Sequence, residues 1–422
     1  MTSPLPPQPR AMTRSRRNSS ASVRPMQAHY GRGALAGARG CITIVAVDEF
    51  ANERDCLVLR AALVERIRRE GPIPFRDFME TVLYHPQHGY YAHRLPFGPG
   101  GDYVTSPEVG PLFGVLVGRQ LAQMWEIMGR PDPFQVVEVG AGRGTLARDL
   151  LSWARRARPD LFAALRYALA DRSQTMAAAQ ERLLACAGLE APATACLAPD
   201  SVEGCVLSNE LVDSFPVHRL FRRGGDLLEV YVTLDGDSFR EELGPPSTPA
   251  IEEYFQRLGL WPGEGCYAEV NLEALDWMRR VGRALRRGFV LTFDYGYEAS
   301  ELYAPWRRDG TFLCFYRHRP SADPYSRLGW QDMTSQVDFT SLVQAGQEAG
   351  LRPLGSASQA DFLRRLGIED ALRVEGLEME EALARRRMAS ELLDPAGLGR
   401  VRVLVQAKGI GPCRLRGLEE GT

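Results

Sequence analysis

The chain has 422 residues, 45% of them hydrophobic and 25% charged, with a net charge of −2. Such a length can bury a large core, and the composition is that of an ordinary globular enzyme. Near-neutral charge gives no electrostatic reason to expect nucleic acid or an anionic membrane as partner, and no apolar run reaches the roughly 18–20 residues that a membrane helix needs.

Residues 1–47 contain no Asp or Glu but carry Arg10, Arg14, Arg16, Arg17, Arg24, Arg32 and Arg39 among serines. That composition fits an organelle transit peptide, a disordered tail or an over-long gene start, with Met12 and Met26 as other possible starts. Residues 1–55 are therefore set apart as a tail. Folded sequence is expected from Cys56: apolar residues at helical spacing over 57–70, ended by Gly71-Pro72, then a short helix over 74–83. A glycine- and proline-rich loop follows over 85–110, then an amphipathic helix over 111–128, so that 56–130 forms a helical and loop region.

From Phe134 the rhythm becomes strand and helix in alternation. Strands are expected over 135–139, 165–170 and 204–208, with helices over 145–157 and 173–185. Two strand-like runs over 227–242 flank Asp235-Gly236, a hairpin signal inside an insertion at about 220–285. Helices are expected over 248–258 and 272–287, a strand over 288–293, and a last strand over 401–406. Regular alternation with short connections implies an α/β fold with a doubly wound, mostly parallel sheet, a Rossmann-like core over 131–410 with a tail over 411–422.

Glu138-Val-Gly-Ala-Gly-Arg-Gly144 follows a strand and opens a helix. Glycines let the backbone turn tightly and approach a ligand, and the helix start adds free N–H groups. The spacing is G-x-G-x-G with an acid two residues before the first glycine. A carboxylate there suits the cationic portion of a ligand better than the pyrophosphate of NAD. These features point to S-adenosylmethionine, with Glu138, Gly140, Ala141, Gly142 and Gly144 around it. Asp171 ends the next strand, where a carboxylate accepts hydrogen bonds from ribose hydroxyls; its alternative role is an N-cap for the following helix.

Asn209, Glu210 and Asp213 follow the strand over 204–208 and are expected at the same sheet edge. Two carboxylates there could grip a guanidinium and polarise an attacking nitrogen; a helix cap with a solvated face is the alternative. No two of the eight cysteines form a C-x-x-C pair; His85 and His88 lie three apart, as metal ligands on one helix face could, but Pro86 and Gly89 argue for a loop and no third ligand stands at a recognisable spacing, so no metal is expected. His93, His218 and His318 read as surface or loop residues.

Gly101-Asp-Tyr-Val-Thr-Ser-Pro-Glu108 with Phe113-Gly114, the loop Glu138–Gly144, Asn209-Glu-Leu-Val-Asp213, Asp294-Tyr-Gly296 and Asp332-Met-Thr-Ser-Gln-Val-Asp338 occur in order. Together they resemble the MidA family of methyltransferases over about residues 60–410. The resemblance implies that Thr105, Ser106 and Pro107 close over the methionine end of the cofactor, and that Asn209 and Glu210 lie between cofactor and acceptor. Asp171 stands where the family often has Glu. It also implies a protein partner with an arginine acceptor, since mitochondrial members methylate a subunit of respiratory complex I and help it assemble. A small-molecule or peptide acceptor, or a non-catalytic assembly factor, is the alternative. Asp294 and Tyr295 either shape the acceptor pocket or form a strand-end turn, while Asp332, Thr334 and Asp338 read as caps for a helix near Phe339. A bacterial cytoplasmic protein is expected, with the mitochondrial matrix as alternative, and a homodimer is possible.

Overall fold

A computed structural model describes residues 55–419, apart from 95, 99, 191–192, 195–196 and 373–377. The arginine-rich stretch 1–47, Cys41 and Cys196 lie outside the described residues.

The centre is a seven-stranded sheet. Its strands are β1 (Phe134–Val139), β2 (Leu165–Ala170), β3 (Ala193–Thr194), β4 (Val202–Asn209), β9 (Leu285–Asp294), β10 (Arg352–Ser358) and β11 (Arg402–Lys408). They lie in the order β10-β11-β9-β4-β1-β2-β3. The five strands from β9 to β3 run parallel, and β11 enters antiparallel between β9 and β10. This is the doubly wound, mostly parallel sheet that the alternation of strand and helix implies. Both faces are buried, because successive side chains of one strand point to opposite sides. Cys205 and Leu207 join one core cluster while Val202 and Val206 join the other. Phe289, Leu291 and Phe293 likewise face away from Val290.

Helices cover the faces. Helix α1 (Leu57–Glu70) has its predicted limits, and α2 (Phe75–Tyr84), α3 (Pro111–Ile127), α4 (Thr145–Ala157) and α5 (Gln174–Cys186) fall within a residue or two of theirs. Helix α6 is shorter than its expected range, Leu272–Ala284, because Leu285 already pairs with Val202 in the sheet and cannot also continue the helix. Helix α7 spans Phe339–Glu348.

A second sheet was only half legible. The hairpin β6 (Asp226–Asp235) and β7 (Ser238–Gly244) turns at Gly236, which has φ 61°. Two further strands, β5 (His218–Arg223) and β8 (Tyr267–Val270), join it, as does Ile73–Pro74 from between α1 and α2. Phe75, Phe78, Leu59 and Leu63 pack on Val230 and Val232 in a third core cluster, so α1 and α2 have their partner here. That packing carries Tyr84, at the end of α2, and the loop after it to the carboxyl ends of the central strands. Residues 415–418 also pack, with Leu415 buried against the main core.

Candidate active site

The loop after β1 turns through three glycines in the left-handed region, Gly140 (φ 70°), Gly142 (φ 54°) and Gly144 (φ 83°). A Cβ on Gly140 would stand 2.6 Å from Leu211 Cδ1, and one on Gly142 would stand 3.1 Å from the Phe97 ring. The loop therefore needs glycine for both conformation and space. Glu138, at the strand end below it, is buried, and the Tyr167 hydroxyl donates to its Oε2 at 2.7 Å. Burial pushes this carboxyl up to about 8, with Tyr167 opposing. Asp171 ends β2 beside the loop. Burial raises its carboxyl, against backbone N–H groups that include Ser173 at 2.9 Å. It does not cap α5: Ser173 does, accepting from Met176 N at 3.3 Å. With the cap filled by serine, the Asp171 carboxylate is left to line the cavity.

The loop after β4 supplies the other acids. Glu210 holds φ 49°, a strained conformation for a residue with a Cβ that costs about 1–3 kcal/mol, and its N–H donates to Phe293 O at 2.8 Å. Such strain persists where surrounding bonds fix it. Here Ser106 N and Asn209 Nδ2 both donate to Glu210 Oε1 at 3.1 Å. Glu210 is enclosed by protein but borders the cavity, and desolvation pushes its carboxyl up to about 8. Asp294, at the end of β9, takes N–H bonds from Leu211 (3.2 Å), Val212 (2.8 Å) and Tyr295 (2.9 Å). It thereby ties the Glu210 loop to β9 and is no free pocket acid. Asp213 sits below in the 3₁₀ turn Val212–Ser214, its carboxyl driven well up by burial and by Asp294, Glu210 and Asp332.

Tyr103, Thr105, Pro107 and Glu108 border the space from the loop before α3. Asp102, fully buried, accepts from the Tyr90 hydroxyl at 2.9 Å and from Arg317 N at 2.9 Å, and pairs with Arg94 at 3.0 Å. These bonds fix the loop that ends in Thr105, Ser106 and Pro107. Glu108 then bridges to the glycine side, accepting from Thr145 Oγ1 at 2.6 Å. The cavity measures about 540 Å³. Thr105, Pro107, Glu138, Gly140, Ala141, Gly142, Asp171, Asn209 and Glu210 line it together. Ser106, Gly144 and Asp213 do not: Ser106 donates its N–H to the lining residue Glu210, Gly144 is the left-handed N-cap of α4, and Asp213 is buried in the 3₁₀ turn Val212–Ser214.

Asp332 and Thr334 form a short strand and cap no helix, contrary to the sequence expectation; Asp332 instead accepts from the Tyr91 hydroxyl at 2.7 Å. Asp338 does cap α7, accepting from Ser341 N at 3.2 Å. The stacked rings of His85 and His88 have no third ligand, and no metal-ligand cluster occurs among the described residues. His218 is held by Glu229 at 2.7 Å in the second sheet. The six described cysteines are free thiols. The sequence reading missed Tyr84, Tyr91, Phe97, Tyr103, Arg143 and Trp277, which also line the cavity. A signal was present: aromatic residues crowd the glycine- and proline-rich stretch 84–103, where a plain connector would be polar.

The residues fit S-adenosylmethionine. The glycine turn leaves room for close backbone approach, Asp171 offers a ribose acceptor, two further carboxylates border the space, and the volume suits a cofactor with part of an acceptor. Comparison with known proteins agrees. A family model described as an S-adenosyl-L-methionine-dependent methyltransferase matches residues 116–357. The chain is 32% identical to a mitochondrial protein arginine methyltransferase, a NDUFAF7 homolog of Drosophila melanogaster, over 83% of this chain and 85% of that protein. It is 28% identical to mitochondrial protein arginine methyltransferase NDUFAF7 of Homo sapiens over 80% of each. A crystal structure from Burkholderia thailandensis, bound to S-adenosyl-homocysteine, superposes with a TM-score of 0.78 at 33% identity. It covers 86% of this chain and 94% of its own.

Proposed function

This chain belongs to the MidA family of S-adenosyl-L-methionine-dependent methyltransferases, and from that premise we propose that it methylates an arginine side chain of a partner protein. One observation carries the choice of acceptor. Glu210 borders the cavity and Asp213, Asp294 and Asp332 are buried outside its wall, and no arginine or lysine pairs with any of the four among the described residues. Buried acids ordinarily have partners, and Glu210, the one of the four that faces the space, is the acid that a cationic ligand would meet. A guanidinium is such a cation.

In this reading Glu138, Gly140, Ala141, Gly142, Asp171, Thr105 and Pro107 hold the cofactor, with Gly144 starting the helix behind it. When bound, S-adenosylmethionine supplies the methyl group on a sulfonium. Asn209 Nδ2 and Ser106 N fix the Glu210 carboxylate, which accepts from the guanidinium N–H groups and turns one nitrogen towards the methyl. The proton leaves to Glu210 or through it to water, which its raised affinity for protons favours. Asp294 holds the loop by accepting from Leu211 and Val212 N–H, and Asp213, in the 3₁₀ turn that follows Glu210, adds a further buried acid. Ser106 contributes through its backbone.

The mitochondrial relatives are protein arginine methyltransferases, and the resemblance to the MidA family makes a complex I subunit the first acceptor to try. Among the described residues no helix is long and apolar enough to cross a membrane. We infer a bacterial cytoplasmic enzyme from the similarity to a Burkholderia protein, while the mitochondrial relatives support the alternative of a mitochondrial matrix enzyme; a native chain lacking its arginine-rich N-terminal stretch would fit the second. The acceptor is tested by incubating the protein with methyl-labelled S-adenosylmethionine and an extract of cells lacking its gene, then hydrolysing the labelled protein. Label in methylarginine is expected. Label only in small molecules, or in another residue, would overturn the arginine assignment.

A further inference from the structure

Tyr84, Tyr91 and Tyr103 line the cavity from the N-terminal side of the chain, and the chemistry above assigns them nothing. Tyr91 turns its hydroxyl to Asp332, a buried residue that is not part of the cavity wall. The Tyr84 hydroxyl is tied to Ser214, at 3.1 Å from the carbonyl oxygen and 3.0 Å from Oγ. With both hydroxyls engaged, these residues offer the cavity their rings. The two rings lie 5.4 Å apart and tilted by 33°, and Tyr103 stands edge-on to Phe97 at 5.6 Å.

An aromatic face attracts a cation that comes within about 6 Å of its centre. One of these rings already has a guanidinium beside it: Arg172, held by Glu273 at 2.8 Å, lies 5.5 Å from the Tyr84 ring centre. Glu210 borders the same cavity. Rings on one side and a carboxylate on another match a planar cation, whose faces stack while its N–H edges meet the acid. An ammonium lacks the flat face, and a neutral group of equal shape lacks the charge.

We propose that Tyr84, Tyr91 and Tyr103 form the aromatic wall of the methyl-acceptor subsite and select a guanidinium. The inference rests on the arginine reading and goes beyond it, since it names the residues that tell a guanidinium from its neutral isostere.

The test uses the full chain saturated with S-adenosylhomocysteine and two probes of equal length, N-acetyl-arginine methylamide and its citrulline counterpart, titrated by calorimetry or NMR. The arginine probe should bind the wild type about 10-fold tighter than the citrulline probe. Tyr91→Leu should cut that preference to about 2-fold and leave S-adenosylhomocysteine affinity unchanged, whereas Tyr91→Phe, which keeps the ring, should retain most of it. Tyr84→Leu and Tyr103→Leu, measured alongside, give the same reading should Tyr91→Leu fail to fold. A wild type without preference for the arginine probe would overturn the arginine reading and this inference together. Full preference kept in all the leucine variants would overturn the inference alone. So would a leucine variant that folds normally but loses S-adenosylhomocysteine affinity, because the wall would then belong to the cofactor.

Discussion

The two sides of this cavity are made in different ways. The glycine side comes from one continuous strand, turn and helix, residues 134–157, with Asp171 added from the next strand. The opposite side is gathered from distant places: Tyr84, Tyr91 and Tyr103 from nearer the N-terminus and Glu210 after β4, with Asp294 and Asp332 supporting from far along the chain. A cofactor that does not change between relatives can be bound by local geometry that is written into one short motif. An acceptor site has to be shaped for its partner, and here its shape depends on three core clusters packing correctly. The glycine side should therefore fail through single backbone positions, and the acceptor side through charge and ring chemistry.

The sharpest break is Gly142→Val. A β-branched residue at φ 54° against the Phe97 ring should cost about 3 kcal/mol, so S-adenosylhomocysteine affinity should fall by roughly 100-fold or more. Unchanged binding by calorimetry would mean that the cofactor lies elsewhere. Glu210→Gln should lower turnover by about 100-fold while S-adenosylhomocysteine affinity stays within about 3-fold. Equal losses of both would move Glu210 to the cofactor side of the comparison. Asp171→Asn should weaken S-adenosylhomocysteine by about 10-fold, as loss of a charged hydrogen-bond acceptor does.

A smaller effect lies in pH. Glu138 and Glu210 take up protons in the folded chain up to about 8, far above their ordinary 4.5. Between those values the folded state holds protons that the unfolded state has released, so stability should fall as pH rises through that window. The Tm of the ligand-free protein should decline from about pH 5 to about pH 8, and Glu210→Gln should flatten part of the decline. A Tm that rises over that range would contradict the raised affinities. The same ionisation should make turnover climb towards pH 8. Smallest is Ser173→Ala, which removes the cap of α5: about 1 kcal/mol of stability should go, with cofactor affinity kept, and this separates the capping role from that of Asp171.

Much of the cofactor side was legible from sequence because its signals are local. The periodicities of α1, α4 and β2 fixed those elements to the residue, and Glu138, Gly140, Gly142 and Asp171 do meet around one space. The strands β5 and β8 were missed: His-Arg-Leu-Phe-Arg-Arg carries charges on a half-exposed strand, and only pairing with residues far along the chain makes it one. Asp294 and Asp332 were noticed, but their tasks, holding the Glu210 loop and the Tyr91 hydroxyl, depend on contacts that span 82 and 241 positions. No window along the sequence contains such a contact. The tyrosines left a local signal, the aromatic crowding of 84–103, but which of them reach the cavity depends on the same long-range contacts.

The central claim is that this cavity binds S-adenosylmethionine, and parallel calorimetric titration of the purified chain with S-adenosylmethionine, S-adenosylhomocysteine and NADH tests it most directly. Micromolar binding of the first two, with no heat from NADH, is the predicted result. Binding of NADH alone would contradict the reading of the glycine loop and every role assigned around it.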